Sequence, residues 1–298
     1  MIRFISAVAV VLIVLVVQTS RPAAQLLNKD APVIVGHYHL NVTSVAEHKK
    51  FWVDTLGGTA MTYGPDKIDV IKFPGVFLFL HEQKPTGPTR GTALDHIGFA
   101  VPDVPAVTTK VVANGYKLTT GREPKPGEEA AAAAGTQAPY GRFSYLLGPD
   151  GAKVELVTAM PGAPPIAHHH VHFINKQYVE MRDWYMKALN ATLRTGPNTF
   201  TDYFTGADLP GVGYMLNFFR WEGDQSITHQ PTKGRVYDHV GFEVKNLKEF
   251  SKQLEAKGIK LMQPYKEKVR ELNNISDLFI TDPWGVSVEL TERLRDVQ

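Results

Sequence analysis

The feature that most constrains this fold is an internal repeat, because a chain that repeats itself builds the same substructure more than once. The matching segments keep nearly the same spacing in both halves, so the repeat spans a whole domain. Three segments of the first half recur in the second half in the same order: HYHL (37–40) as HVHF (170–173), DHIGFAV (95–101) as DHVGFEV (238–244), and PDGAKVEL (149–156) as PWGVSVEL (283–290).

Each half contains a smaller repeat. Apolar and polar residues alternate at 37–42 and 96–101, which predicts half-buried strands. A helical pattern that ends near a glycine or asparagine follows each such strand, and strand-like segments come next. The repeating unit is therefore β-α-β-β-β, used four times. The predicted helices cover residues 45–56, 104–113, 178–189 and 247–256.

The amino end has the pattern of a secretory signal. Arg3 precedes an unbroken apolar run at residues 5–17, and polar residues follow. This run is short for a membrane-spanning helix, which needs ~20 apolar residues. We therefore predict a signal peptide at 1–24 and an exported protein, periplasmic or extracellular. The alternative is an uncleaved N-terminal anchor.

Composition excludes several classes of protein. Hydrophobic residues make up 43% and charged residues 21%, which excludes a disordered chain. Lys and Arg number 32 against 30 Asp and Glu, so nucleic acid is not an expected partner. The absence of cysteine excludes disulfides, thiolate metal sites and a cysteine nucleophile. A proline-rich linker at 161–166 divides the chain into a first module at 33–160 and a second at 167–294.

Together these features resemble the vicinal oxygen chelate superfamily, and the resemblance covers residues 33–294. That superfamily includes glyoxalase I, methylmalonyl-CoA epimerase, fosfomycin and bleomycin resistance proteins, and extradiol dioxygenases. The resemblance implies an α+β fold with two tandem modules. Each module would have two βαβββ units that form an open, U-shaped barrel.

The resemblance also implies metal ligands. In the superfamily a His on the first strand of each unit and a Glu on the last strand hold a metal inside the U. Two imidazoles and one carboxylate favour Fe(II) or Mn(II), with Zn(II) also compatible, and leave room for a bidentate oxygen substrate. His39 and His172 share a strand face with the predicted ligands, as alternative ligands or as groups that orient them. The implied ligands are His37, His96 and Glu155 in the first module, and His170, His239 and Glu289 in the second.

Two departures from the family patterns bear on which branch of the superfamily the chain resembles. Glyoxalases carry a fourth ligand, Glu or Gln, on the last strand of the first unit, but residues 77–80 and 214–217 offer no carboxylate in register, which favours the dioxygenase-like branch. That branch has a Tyr about ten residues before the Glu, and Tyr145 matches it as a hydrogen-bond donor or proton relay. Phe279 takes the place of this Tyr in the second module, and the acid/base His of the branch is missing from both modules.

The sequence thus predicts an exported metalloenzyme, dioxygenase-like or glyoxalase/lyase-like. Its substrate would be a small oxygenated molecule, either aromatic or not, that binds the metal through two oxygen atoms. One alternative is a non-catalytic small-molecule binding protein of the bleomycin-resistance type. Another is a fold in which the histidines only pack. The expected partner is a small molecule; membrane contact is expected only through an uncleaved N-terminus, and homo-oligomers are left open.

Overall fold

The computed structural model describes residues 30–121, 143–196, 200–223, 228–269 and 273–297. The predicted signal segment at 1–24 lies outside these residues. Within the described ranges, no helix has the length and apolar character needed to cross a membrane.

The first half of the chain forms two βαβββ units, as predicted. Side chains of Ser44 and Asp103 cap the two helices by accepting hydrogen bonds from backbone N–H groups in the first turn. Unit 1 comprises β1 (Val33–Val42), α1 (Val45–Lys49, continued by a π-helical segment at Lys50–Thr55), β2 (Thr59–Tyr63), β3 (Ile68–Phe73) and β4 (Val76–Glu82). Unit 2 comprises β5 (Leu94–Val101), α2 (Val104–Ala113), β6 (Lys117–Leu118), β7 (Phe143–Leu147) and β8 (Lys153–Thr158).

The second half repeats this arrangement. Its helices have the boundaries that the sequence pattern predicts. Unit 3 comprises β9 (Ala167–Asn175), α3 (Tyr178–Leu189), β10 (Thr192–Leu193), β11 (Phe204–Leu209) and β12 (Gly213–Arg220). Unit 4 comprises β13 (Tyr237–Val244), α4 (Leu247–Ala256), β14 (Leu261–Val269), β15 (Ile275–Thr281) and β16 (Ser287–Glu292).

The strands form two open eight-stranded sheets, which confirms the α+β fold of U-shaped barrels. Sheet 1 has the order β14-β15-β16-β13-β1-β4-β3-β2, and sheet 2 the order β10-β11-β12-β9-β5-β8-β7-β6. Each sheet contains two units, but the two units come from different halves of the chain. Sheet 1 joins units 1 and 4, and sheet 2 joins units 2 and 3.

The two units of each sheet meet through one antiparallel strand pair. In sheet 1, β1 pairs with β13, so that His37 lies opposite Gly241 and His39 opposite His239. In sheet 2, β5 pairs with β9 in the matching register, with Gly98 opposite His170. Each pair is interrupted by register shifts on both strands. A β-bulge redirects the side chains next to it, so these shifts set which residues face the inside of each U.

A buried ionic network fixes the end of the chain inside sheet 1. The Glu243 carboxylate is fully buried and accepts hydrogen bonds from the Thr291 hydroxyl at 2.7 Å and the Arg293 backbone N–H at 2.8 Å. The Arg295 guanidinium donates to the same carboxylate at 3.1 Å and to the Ala31 carbonyl at 3.0 Å. This network holds the buried Leu294 in place.

We expect Glu243→Ala to lower the free energy of unfolding by about 3–5 kcal/mol, because it leaves the Arg295 charge buried without its partner. Urea unfolding followed by circular dichroism measures this change. Glu249→Ala is the matched control, since Glu249 is exposed on α4 and forms a surface ion pair with Lys252 at 3.0 Å. Equal midpoints for the two variants would contradict the assigned role of the network.

Candidate metal centres

The structure brings the six predicted ligands together in two clusters, one in each sheet, and adds a third histidine to each. Within a cluster all four candidate ligand atoms lie within 4.8 Å of one another. We call the cluster in sheet 1 centre 1 and the cluster in sheet 2 centre 2. Centre 1 consists of His37, His39, His239 and Glu289, and centre 2 consists of His96, Glu155, His170 and His172.

The expected division of the ligands between the two modules is therefore wrong. The prediction placed His37 with His96 and Glu155, but His37 lies with His239 and Glu289 in sheet 1. His170 correspondingly lies with His96 and Glu155. The cause is the strand pairing, because β1 pairs with β13 and β5 with β9. Each centre draws its ligands from both halves of the chain.

Centre 1 is organised around one carboxylate oxygen. Oε2 of Glu289 lies 2.8 Å from Nε2 of His37 and 3.0 Å from Nε2 of His239. The His39 ring stacks on the His239 ring, with 4.4 Å between the ring centroids. Nδ1 of His37 is buried without a hydrogen-bond partner among the described residues.

Centre 2 repeats this arrangement. Oε2 of Glu155 lies 3.0 Å from Nε2 of His96 and 2.9 Å from Nε2 of His170. The His172 ring stacks on the His96 ring at 4.2 Å, and its Nδ1 is buried without a partner in the described part of the chain. Two independent stretches of sequence therefore produce the same donor geometry.

An aspartate orients one histidine in each centre. Oδ1 of Asp238 lies 2.7 Å from Nδ1 of His239, and Oδ2 of Asp95 lies 2.6 Å from Nδ1 of His96. A carboxylate at Nδ1 fixes the proton there and leaves Nε2 free to bind a metal. Sequence reasoning missed both aspartates, although the Asp-His pair recurs in both copies of the motif.

The charge states suit metal binding. Burial opposes ionisation of Glu289, but the imidazoles of His37 and His239 more than offset it and hold the pKa of Glu289 well below its ordinary value. The pKa of Glu155 is lowered in the same way by His170 and His96. Each centre thus has an ionised carboxylate.

The pKa values of His39 and His172 are shifted in the opposite direction to that of His239. Burial lowers the pKa of His39 and His172 well below the ordinary value, so both are neutral ligands at neutral pH. Burial also lowers the pKa of His239, but hydrogen bonds to Asp238 and Glu289 outweigh it and raise this pKa to about 9. A metal that binds His239 must therefore displace a proton.

Two glycines make room for the ligand rings. A Cβ atom at Gly241 would lie 2.0 Å from Cε1 of His37, and one at Gly98 would lie 2.2 Å from Cε1 of His170. Any larger residue would push the imidazole away from its carboxylate. Each centre therefore requires the glycine of one Asp-His-x-Gly motif: Gly241 at centre 1 and Gly98 at centre 2.

The residues of both centres fit a divalent metal. Three imidazoles and one carboxylate are suitable ligands for Fe(II), Mn(II) and Zn(II). The remaining coordination positions of the ion stay available to the oxygen atoms of a substrate. The predicted His-His-Glu set is enlarged by His39 and His172, which the strand alternation had placed on the correct face. The three consecutive histidines of β9 separate: His170 joins centre 2, while Nε2 of His168 lies 2.9 Å from the Tyr38 hydroxyl in the other sheet.

The surroundings of the centres differ. Tyr145 pairs with Glu155 across β7 and β8, hydrogen-bonds it, and lies edge-on to His96 at 5.4 Å. Phe279 is its counterpart beside His239 in centre 1. The strand position opposite the second histidine also differs: Phe79 stacks on His39 at 4.8 Å, whereas Asn217 lies opposite His172.

A cavity of about 20 Å³ adjoins centre 1, enough for about one water molecule or ion. Glu289, His37 and His39 of centre 1 line it. The rest of its wall is mainly apolar and comprises Tyr63, Ile68, Phe79, Ile275 and Leu294.

We expect Gly241→Ala to abolish metal binding at centre 1 and to spare centre 2, because the added methyl group occupies the space of the His37 ring. Gly98→Ala should have the opposite effect, and each variant serves as the control for the other. Metal content after zinc reconstitution, by inductively coupled plasma mass spectrometry, should fall from about two equivalents to about one in each variant. Retention of both equivalents in either variant would rule out the steric argument.

Comparison with known proteins agrees with this architecture. Residues 34–156 and 167–290 each match the model of the Glyoxalase/Bleomycin resistance protein/Dioxygenase superfamily. Glyoxalase I from Zea mays is a similar solved structure, with a TM-score of 0.61 and 18% identity over 90% of this chain and 95% of that chain. A Bacillus subtilis protein described as a candidate dioxygenase has a TM-score of 0.60 and 12% identity over 88% of this chain and 85% of that chain.

A search of curated proteins gives no match. At these low identities the structural likeness concerns the fold alone, whereas the two matches to the family model cover most of the sequence. The chain belongs to the Glyoxalase/Bleomycin resistance protein/Dioxygenase superfamily.

Proposed function

We propose that this protein is an exported metalloenzyme that binds a small molecule through two adjacent oxygen atoms and transforms it. The proposal rests chiefly on the convergence of three imidazoles and one carboxylate in each open sheet, with ligand atoms within 4.8 Å of one another. Four protein ligands leave two positions of an octahedral ion for a bidentate substrate. The reaction would be an oxygenation, an isomerisation or a lyase step.

The donor set supports Fe(II) or Mn(II) as the resident ion, with Zn(II) as an alternative. His37, His39, His239 and Glu289 would hold it at centre 1, and the matching residues at centre 2. A bound divalent ion would polarise the substrate oxygens and stabilise negative charge that develops on them. Asp238 and Asp95 keep the ligand histidines oriented in both cases.

At centre 2 we assign to Tyr145 the role of hydrogen-bonding the substrate. Burial, together with the Glu155 carboxylate, raises the pKa of Tyr145 well above its ordinary value. Its phenol therefore stays protonated at neutral pH and acts as a hydrogen-bond donor rather than as a base. A donor beside the ligand carboxylate can stabilise a substrate oxygen that gains negative charge.

Metal reconstitution followed by a substrate screen tests the proposed function. The full chain is loaded without oxygen with Fe(II), Mn(II) or Zn(II), and metal content is measured. Small diols, catechols and α-ketoaldehydes are then added, with oxygen uptake and product formation as the readouts. Oxygen uptake with the Fe(II) or Mn(II) protein would identify an oxygenase, whereas turnover without oxygen would identify isomerase or lyase chemistry.

Two results would contradict the enzyme proposal. Failure to retain any of the three ions would exclude a metal site altogether. Tight binding of such compounds to the metal-loaded protein without turnover would instead identify a small-molecule binding protein of the bleomycin-resistance type.

For a substrate that the protein turns over, we expect Tyr145→Phe to reduce the rate at centre 2 by about 100-fold, because a hydrogen-bond donor to the reacting oxygen is lost. Metal content should be unchanged, since Tyr145 is not a ligand. His239→Ala, which removes a ligand of centre 1, provides the background in which centre 2 is measured alone. Phe279→Tyr, at the counterpart position, is the matched control and should retain the activity. An unchanged rate in Tyr145→Phe would remove Tyr145 from the mechanism.

Export is the remaining part of the proposal, supported by the charged start and apolar run at residues 3–17. Mass spectrometry of the native protein gives its N-terminus. We expect a mature chain that begins near Gln25 and is recovered outside the cytoplasm. A chain with an intact N-terminus in the cytoplasmic fraction would contradict export.

A further inference from the structure

The two centres have similar ligands but different buried charges around them. At centre 2, Nζ of Lys153 lies 2.7 Å from the Asp95 carboxylate, which orients His96. Lys153 is buried, with 5% of its surface exposed. The corresponding residue of centre 1, also two positions before the ligand Glu, is the neutral Ser287.

A second buried cation lies beside centre 2. Arg194 is 5% exposed and donates to the side chains of Asp208 and Asn217, each at 2.7 Å. Asn217 lies opposite His172 in the strand register, so the guanidinium is close to the ligands. In agreement, burial lowers the pKa of His170, and the positive charges of His96 and Arg194 add to this lowering. At centre 1 the position opposite the second histidine is the apolar Phe79.

Centre 1 has a buried carboxylate where centre 2 has none. Asp277 is 4% exposed, and its Oδ1 has no hydrogen-bond partner among the described residues. Its Oδ2 accepts a hydrogen bond from the Gln263 amide at 2.8 Å. The counterpart of Asp277 in unit 2 is Phe143, two positions before Tyr145.

The strand register places Asp277 on the wall of centre 1. Phe279 pairs with Glu289 across β15 and β16, so both face the inside of the U. Asp277 lies two residues from Phe279 and therefore faces the same side. Ile275, two residues further, lines the cavity together with Glu289. Burial and the charge of Glu289 raise the pKa of Asp277, in agreement with this proximity.

The strand next to Asp277 carries a cation. Lys266 lies opposite Asp277 in the β14–β15 register, but its side chain is exposed at the edge of the sheet. The hydrogen bonds to Asp238, the other acid beside Glu289, come from the Asn41 amide, the Gly234 backbone N–H and His239. Sheet 1 also has two buried cations, Lys72, which lies opposite Phe77, and Arg295, which pairs with Glu243. Among the described residues, Glu289, Asp238 and Asp277 have no ion pair with a Lys or Arg, whereas Asp95 of centre 2 pairs with Lys153.

We propose that the two centres select ligands of opposite charge: centre 2 favours anionic oxygen chelators, and centre 1 favours neutral or cationic ones whose donor group binds Asp277. This inference rests on the proposed metal-dependent function. With a divalent ion in each centre, Glu289, Asp238 and Asp277 leave centre 1 with a net negative charge. At centre 2 the pairs Lys153–Asp95 and Arg194–Asp208 are neutral, so Glu155 and the ion leave a net positive charge. Charges buried this close together are weakly screened.

Three catechols with the same chelating group test this charge selection. Dopamine carries an ammonium group, 3,4-dihydroxybenzoate carries a carboxylate, and catechol carries neither. The zinc-loaded full chain is studied as His239→Ala, which keeps only centre 2, and as His96→Ala, which keeps only centre 1. Calorimetric titration at neutral pH gives the affinities, and metal analysis gives the zinc content of each variant.

We expect the centre-2 protein to bind 3,4-dihydroxybenzoate about tenfold more tightly than dopamine, and the centre-1 protein to show the reverse order. Adding Asp277→Asn to the centre-1 protein should bring the affinity for dopamine close to that for catechol without changing the zinc content. Asp54→Asn, at an exposed position, is the matched control and should leave the order unchanged.

The outcomes separate this inference from the proposed function. The same order of affinities at both centres, with zinc bound, would overturn the charge selection and leave the metal sites standing. An unchanged preference for dopamine in Asp277→Asn would overturn the role of Asp277. Absence of zinc from both variants and from the parent chain would instead overturn the metal-dependent function itself.

Discussion

The antiparallel pairing of first strands from opposite halves of the chain is the contact on which both candidate centres depend. It places His37 opposite Gly241 and His170 opposite Gly98. A histidine ring needs the space that only glycine leaves at these positions. Bulges on both strands then direct the rings across these glycines towards a carboxylate on the next strand, where Glu289 pairs with Gly241 and Glu155 with Gly98. The ligands are therefore a product of long-range pairing rather than of local sequence.

The same pairing explains why the two centres can diverge. Both centres have the same candidate ligands, three histidines and one glutamate. Each centre depends on one copy of the Asp-His-x-Gly motif and on a Glu in a last strand. The walls come from outer strands, which the pairing does not constrain. Tyr145, Lys153 and Arg194 give centre 2 a polar and cationic wall. Phe79 and Phe279 give centre 1 a largely apolar wall in which Asp277 is a buried acid.

Much of this architecture could be predicted from the sequence, since alternation, helix stops and the internal repeat are local signals. They gave the four βαβββ units, and the family resemblance gave the six ligand candidates. The partition of those candidates could not be predicted. Both first strands carry His-x-His and both partner strands carry Asp-His-x-Gly, so either pairing satisfies the pattern.

Other features also depend on packing that periodicity does not encode. Asp277 is an ordinary residue of a strand until the register places it near Glu289. Arg194 follows a two-residue strand, and only the folded sheet brings its guanidinium to Asn217. The three histidines at 168–170 are equivalent in sequence, and the bulge in β9 separates their roles.

Zinc stoichiometry of two double variants tests the central claim, that each centre combines ligands from both halves of the chain. In His37→Ala/His239→Ala both substitutions fall in centre 1, so about one equivalent of zinc should remain, bound at centre 2. In His37→Ala/His96→Ala each centre loses a ligand, so both sites should be emptied. Circular dichroism verifies that both variants are folded. The reverse result, with zinc retained only by His37→Ala/His96→Ala, would show that each half of the chain builds its own site and would contradict the account.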